Sequence, residues 1–168
     1  EEHGRYASAS PCNAMTFDVE EHFQVAAFED RIRRDAWERQ PSRVGLNTGR
    51  VLDAFAEHGV RATFFMLGWV AERDPSLVRR IVDDGHELAS HGYDHTRATM
   101  LDRAAFMADV TRTKKMLEDL SGRAVRGYRA PSYSIGARNL WALDALQEAG
   151  YLYSSSIYPI RHDLYGMP

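Results

Sequence analysis

Four times along this chain a helix-like hydrophobic pattern runs into a glycine, and each glycine is followed by a short extended run. Residues 46–58 carry Val51, Leu52, Phe55 and Ala56 on one helical face; Gly59 stops that helix, and residues 60–67 (VRATFFML) read as a buried strand. Residues 75–84 repeat the unit with Leu77, Val78, Ile81 and Val82 on one side, Gly85 as the stop and residues 86–90 extended. Asp102 is placed to cap a third helix with the stripe Phe106, Val110, Thr113, Leu117 and Leu120. Ser121-Gly122 ends it, and residues 125–129 follow as a strand. The fourth helix, residues 137–149, shows Leu140, Leu143 and Leu146 before Gly150 and the extended residues 151–155. With residues 14–19 as a first strand, the alternation predicts an α/β fold with a parallel sheet or barrel.

The rest of the chain narrows the reading. Its 168 residues suit one domain, expected over residues 14–168, with residues 1–13 as a flexible lead-in that has no hydrophobic period. A net charge of −3 gives no reason to expect a nucleic-acid partner. The single cysteine, Cys12, excludes an internal disulfide and a Cys-rich zinc site. There is no apolar run of about 18 residues, so no transmembrane segment is expected, and no signal-peptide pattern opens the chain. The expected location is cytoplasmic or peripheral to an inner membrane.

In β/α folds, chemistry gathers at the carboxyl ends of the strands. There the sequence puts Asp18 and Glu20, then His91 and His95, then Arg129. Histidines at i and i+4 share one face if the segment makes a helical turn, an arrangement that suits two imidazole ligands of one metal. Such a pair alone is only moderately specific, since two solvated loop histidines give the same spacing. Period two puts Asp18 and Glu20 on one face, with Val19 opposite. One carboxylate can then complete a two-histidine, one-carboxylate metal site while the other serves as a general base. Acidic residues opening a solvated helix explain Glu20 and Glu21 equally well, but not Asp18 at the end of the strand AMTFDV.

The segments TFDVEE, GHELASHGYDH and RGYRAPSYS occur in the order found in NodB-type polysaccharide deacetylases, the fourth carbohydrate esterase family, which this chain resembles. The segments DVEEHFQVAAFE, ATFFMLGWVAER and NLWALDALQEAGYLYSSSIYPIRHDLYGMP are most similar to exosortase-associated exopolysaccharide deacetylases. The resemblance covers residues 14–168 and implies a distorted (β/α) barrel with fewer than eight strands. It implies hydrolysis of N-acetyl groups on the hexosamine units of a polysaccharide. Asp18 matches the catalytic base, His91 and His95 match ligands of a divalent metal, usually zinc, and Arg129 matches the arginine that pairs with the base.

Three departures from the family pattern qualify this picture. Valine stands at position 19, where many members have the second of two adjacent aspartates, so the carboxylate ligand is expected at Glu20, with Glu21 as fallback. Ser132 intervenes between Pro131 and the aromatic Tyr133, so the oxyanion-binding N–H falls to Ser132 or Tyr133. The late Leu-x-His motif that supplies a general acid has no match, and His162 sits in the wrong context. The domain is therefore expected to be incomplete at its C-terminal end. Rival readings are an amidohydrolase of a small cyclic amide on the same barrel and a catalytically inactive glycan-binding module.

The remaining histidines and tryptophans read more plainly. His58 is expected to end a helix, His86 to hydrogen-bond within the fold, and His22 to lie near the carboxylates; His3 falls in the lead-in. Trp69 and Trp141 fit helix packing. Trp37 in DAWERQPSR is either a sugar platform or packing, with packing the commoner outcome.

Overall fold

Strand β1 (Met15–Val19) pairs in parallel with β2 (Ala62–Met66), and β2 with β3 (Glu87–Ser90), in the computed structural model, which describes residues 13–162 and 165–168. Two short strands continue the ladder, β4 (Gly127–Tyr128) and β5 (Tyr153–Ser154), giving one five-stranded parallel sheet in the order β1-β2-β3-β4-β5. Among the described residues no pairing joins β5 back to β1. Most of the expected lead-in, residues 1–12, lies outside the described residues.

The helices are α1 (Val44–Glu57), α2 (Gly68–Arg73), α3 (Pro75–Asp83), α4 (Arg103–Ser121) and α5 (Trp141–Glu148). Asp102 caps α4 by accepting from Ala105 N at 2.8 Å, as the sequence predicts, and Gly122 closes it at φ 64°. His58 is the C-cap of α1. Two boundaries differ from expectation. Helix α1 begins earlier, because Glu21 reaches over from the end of β1 to bind its first N–H groups. Helix α5 begins later, because Asn139 folds residues 136–139 into a turn instead: its Oδ1 accepts from Gly136 N and its Nδ2 donates to Ser134 O, both at 2.9 Å. Helix α2 has no bounds in the sequence reading, which assigns only Trp69 to helix packing, because six residues are too few to show a period.

Register assigns the two faces of the sheet. Phe17 lies beside Phe64, and Phe64 beside Leu88, while Ser90 lies beside Tyr128. These side chains face the helices, where Leu52, Ile81, Phe106, Val110, Leu117 and Leu146 complete a buried core. Strands buried on both faces read as continuous apolar runs, which is why ATFFM shows no alternation. The opposite face carries Asp18 beside Phe65, and Phe65 beside Ala89. Arg129, just past β4, projects to that same face by strand alternation. Three strand spacings of about 4.8 Å separate β1 from β4. Arg129 Nη1 nevertheless reaches Asp18 Oδ1 at 2.6 Å, so the sheet curls strongly toward this face.

Among the described residues no helix is long and apolar enough to cross a membrane. Trp37 is packing: it is buried, with ring centroids 5.9 Å from Phe23 and 5.7 Å from Trp69. Trp69 lies in α2 under the guanidinium of Arg73, and Trp141 in α5 packs on Phe106. His86 Nδ1 accepts from Ala62 N at 3.2 Å, an internal bond as expected.

Candidate metal centre

The carboxyl ends of β1, β3 and β4 bring together residues distant in sequence. Glu20, His91 and His95 each offer one ligand atom, and these atoms lie within 4.8 Å of one another. Glu20 Oε2 stands 3.0 Å from His95 Nε2 and 3.5 Å from His91 Nε2. That oxygen is buried, and neither contact has hydrogen-bond alignment, so three potential ligand atoms converge without satisfying one another. Burial pushes the Glu20 carboxyl up, but the two imidazoles against it outweigh that and hold it at about 2. Burial alone would lower the His91 imidazole; the neighbouring carboxylates of Glu20 and Asp18 raise it instead.

His91 is held from behind by the backbone. Its Nδ1 lies 2.8 Å from the carbonyl oxygen of Arg129, and a carbonyl can only accept, so Nδ1 carries the proton. In the neutral imidazole, Nε2 is then the lone-pair nitrogen, facing Glu20. A backbone carbonyl fixing the tautomer of a histidine is a recurrent feature of metal sites. One carboxylate and two imidazoles, oriented in this way, fit a divalent ion with coordination positions left open.

The route by which the histidines meet differs from the sequence expectation. Residues 91–95 do not form a helical turn; the chain turns left-handed at Gly92, φ 76°, and again at His95, φ 60°. Spacing of i and i+4 thus singled out two histidines that the fold does bring together, though not through the helical turn it implied.

The sheet then separates the two acidic candidates at positions 20 and 21. Glu21 is 1% exposed, and its carboxylate accepts from Ser42 Oγ at 2.5 Å, Arg43 N at 2.9 Å and Val44 N at 3.2 Å. It caps α1 from outside that helix, where a negative charge is favourable. Glu21 is therefore committed to structure, and Glu20 alone of the pair faces the histidines.

Asp18 sits beside the cluster, Oδ2 3.9 Å from His91 Nε2. Its other oxygen takes the Arg129 bond described above. The same guanidinium donates to Thr16 Oγ1 at 3.0 Å, Ser155 Oγ at 2.9 Å and Ser155 O at 3.3 Å, and lies 4.0 Å from the Phe65 ring centroid. Thr16 and Ser155 are absent from the sequence reading; Thr16 could have been found two residues before Asp18 on the same strand face. Ser132 and Tyr133 follow at φ 53° and 49°, two successive left-handed residues. Tyr133 N donates to Ala130 O at 3.0 Å. Both line a cleft of about 380 Å³ with Arg97, Asn139, His162 and Tyr165. His162 stacks on Tyr165 with ring centroids 3.9 Å apart. His22, as expected, lines a hollow with Glu20 and Glu21.

Comparison with known proteins bears on this geometry. The family model described as polysaccharide deacetylase matches residues 35–154, which include His91, His95, Arg129, Ser132 and Tyr133; Asp18 and Glu20 precede that stretch. A peptidoglycan-N-acetylglucosamine deacetylase of Bacillus cereus is 34% identical over 98 residues, 58% of this chain and 36% of that protein. A chitooligosaccharide deacetylase of Sinorhizobium fredii is 38% identical over 100 residues, 59% of this chain and 44% of that protein. The matched part thus spans less than half the length of either relative. A family 4 carbohydrate esterase from Streptomyces lividans, solved with acetate, superposes with a TM-score of 0.62 at 27% identity, covering 82% of this chain and 58% of that one. With the family model matching well over half of its residues, this chain belongs to the polysaccharide deacetylase family.

Proposed function

We propose that this chain carries the centre of a metal-dependent hydrolase that removes N-acetyl groups from hexosamine units of a polysaccharide. The observation that carries this reading is the convergence of Glu20, His91 and His95 beside an aspartate whose second oxygen is clamped by arginine. Relatives named as peptidoglycan and chitooligosaccharide deacetylases support the substrate class. The segments shared with exosortase-associated enzymes favour an exopolysaccharide. We also read the curled sheet as a sector of a distorted barrel.

Each residue then has a role. Glu20, His91 and His95 would hold a divalent ion, and imidazole with carboxylate suits zinc. When bound, such an ion acidifies a water and polarises a carbonyl oxygen. Asp18 accepts the water's proton through Oδ2, while Arg129 holds Oδ1 and keeps the carboxylate aimed. The Tyr133 N–H is already given to Ala130, which leaves Ser132 N–H to receive the developing oxyanion, a contact commonly worth about 3 kcal/mol. The left-handed turn at Ser132 and Tyr133 is strained, as such loops often are at reacting centres. The water oxygen bonds to the acetyl carbon, the amide C–N bond breaks, and the proton taken up by Asp18 passes to the departing nitrogen, giving acetate and a free amine.

Acetate release from N-acetylglucosamine oligosaccharides tests the reading. The parent chain should release acetate, lose activity with a chelator, and regain it with zinc; Asp18→Asn should be nearly inactive. Equal, trace release by parent and variant would favour a glycan-binding module. Chelator-resistant activity would favour a metal-free amidohydrolase.

A further inference from the structure

The loop between the two histidines is held from both sides by groups that bind no substrate. Its left-handed conformation at His95 is unfavourable for a residue with a Cβ, so surrounding structure must enforce it. On one side, the first N–H groups of α2 donate to the loop carbonyls: Gly68 N to Gly92 O at 2.9 Å and Trp69 N to Tyr93 O at 2.8 Å. The approach depends on Gly68, because a Cβ there would lie 2.6 Å from Tyr93 Cδ2 and 3.3 Å from Tyr93 Cα. On the other side, Asp109 of α4 accepts from Tyr93 N at 3.2 Å. Its second oxygen would meet a Cβ on Gly92 at 3.2 Å, so carboxylate and loop backbone are in close contact. The Tyr93 ring closes the arrangement: Arg112 of α4 lies 3.8 Å from its centroid, and its hydroxyl donates to Glu72 of α2 at 2.6 Å.

We propose that Asp109 is a positioning residue for the metal centre, fixing the Gly92–Tyr93 backbone against α2 and so setting the angle at which His91 and His95 present Nε2. The inference rests on reading Glu20, His91 and His95 as metal ligands. Asp109 touches neither histidine and neither substrate nor water need reach it. It works through the backbone: one acceptor oxygen on α4 and two donors on α2 grip a single peptide strip. Outer partners of this kind typically change metal affinity by about ten- to a hundredfold when lost. A neutral amide keeps the acceptor oxygen, so the requirement is for an oxygen at that place and not for its charge.

The full 168-residue chain is compared with Asp109→Ala, Asp109→Asn and Gly68→Ala. Amide hydrogen exchange at Tyr93 is measured by NMR on metal-free protein; zinc affinity is then titrated, and the visible spectrum of the cobalt form is recorded. Asp109→Ala should exchange Tyr93 N–H at least about tenfold faster, bind zinc about ten- to a hundredfold more weakly and alter the cobalt spectrum. Asp109→Asn should stay near the parent in all three, and Gly68→Ala, acting from the other side, should weaken zinc binding like Asp109→Ala. A purely structural Asp109 would lower Tm and leave zinc affinity and spectrum as they were, and that result overturns the proposal. So does an Asp109→Asn as impaired as Asp109→Ala. If Asp109→Ala does not fold, Gly68→Ala decides, and parent-like zinc affinity there overturns the proposal. A parent chain that takes up neither zinc nor cobalt sinks the metal reading itself; the grip on the loop is then judged by Tyr93 exchange, where an unchanged rate in Asp109→Ala overturns it.

Discussion

The two sides of the centre are built by different means. The carboxylate side, at the end of β1, follows directly from strand geometry: Asp18 is paired in register within the strand, and Glu20 follows it at the rim. Side-chain bonds hold this side, Arg129 gripping Asp18 and Glu21 pinning the chain to α1. The imidazole side, beyond β3, is a left-handed loop held through its backbone by α2 and α4. Alternation along a strand is written in the sequence, while the φ angles of a loop are not. One side should therefore break through charge and the other through backbone geometry.

The largest effect is expected at Asp18. Replacing it with asparagine keeps shape and removes the proposed proton acceptor, so the rate of acetate release should fall by roughly 10²–10⁴ while zinc affinity holds. Kinetics beside a zinc titration check this, and a loss of metal equal to the loss of rate would make Asp18 a ligand instead of a base. Next comes Arg129→Met. Arg129 is buried with four polar contacts, and its loss leaves the Asp18 carboxylate and the Thr16 and Ser155 oxygens without their partner. Breaking such a pair costs about 3 kcal/mol, measurable by urea unfolding; an unchanged midpoint would mean that solvent replaces the guanidinium freely. Glu21→Ala should cost about 2 kcal/mol through the lost cap on α1, with zinc affinity changed much less than in Glu20→Gln. Equal losses of zinc affinity in the two variants would erase the division of labour between these neighbouring acids.

Much of this was legible beforehand, and the gaps have physical reasons. The helix–glycine–strand rhythm gave the parallel order, and Asp18, His91, His95 and Arg129 fell at strand ends where chemistry is expected. Strands β4 and β5 are only two residues long, shorter than the extended stretches 125–129 and 151–155 suggest, because ladder pairing there is confined to Gly127–Tyr128 and Tyr153–Ser154. Helix α2 went unseen because six residues are too few to show a period, although its N–H groups hold the histidine loop. Asp109 falls outside the apolar stripe that marks α4 in the sequence. Its partner is a backbone N–H, which every residue but proline carries, so no side-chain pattern could announce it.

The smallest effect sharpens the contrast, because it concerns charge on the side that geometry governs. Burial raises the Asp109 carboxyl to about 6, against the opposing pull of the Tyr93 N–H and of Arg112 and Arg34. Its ordinary value is 3.8, so the folded chain holds that proton more tightly than the unfolded one. The sign follows: no penalty exists below about pH 4, it grows between pH 4 and 6, and above pH 6 it is present in full. Asp109→Asn, which never ionises, should therefore gain stability relative to the parent as pH rises through that window. A rise from 3.8 to about 6 would be worth about 3 kcal/mol in full; the carboxylate is partly exposed, and solvent screening should cut the gain to about 1 kcal/mol. Thermal unfolding of both proteins at pH 4, 5, 6 and 7.5, metal removed, measures the difference directly. A Tm gap that is flat across the series would mean that Asp109 ionises as freely in the fold as in water. A gap that widens the other way, with the parent gaining above pH 6, would mean that Arg34 and Arg112 outweigh burial and that charge, not backbone geometry, binds the histidine loop to α4.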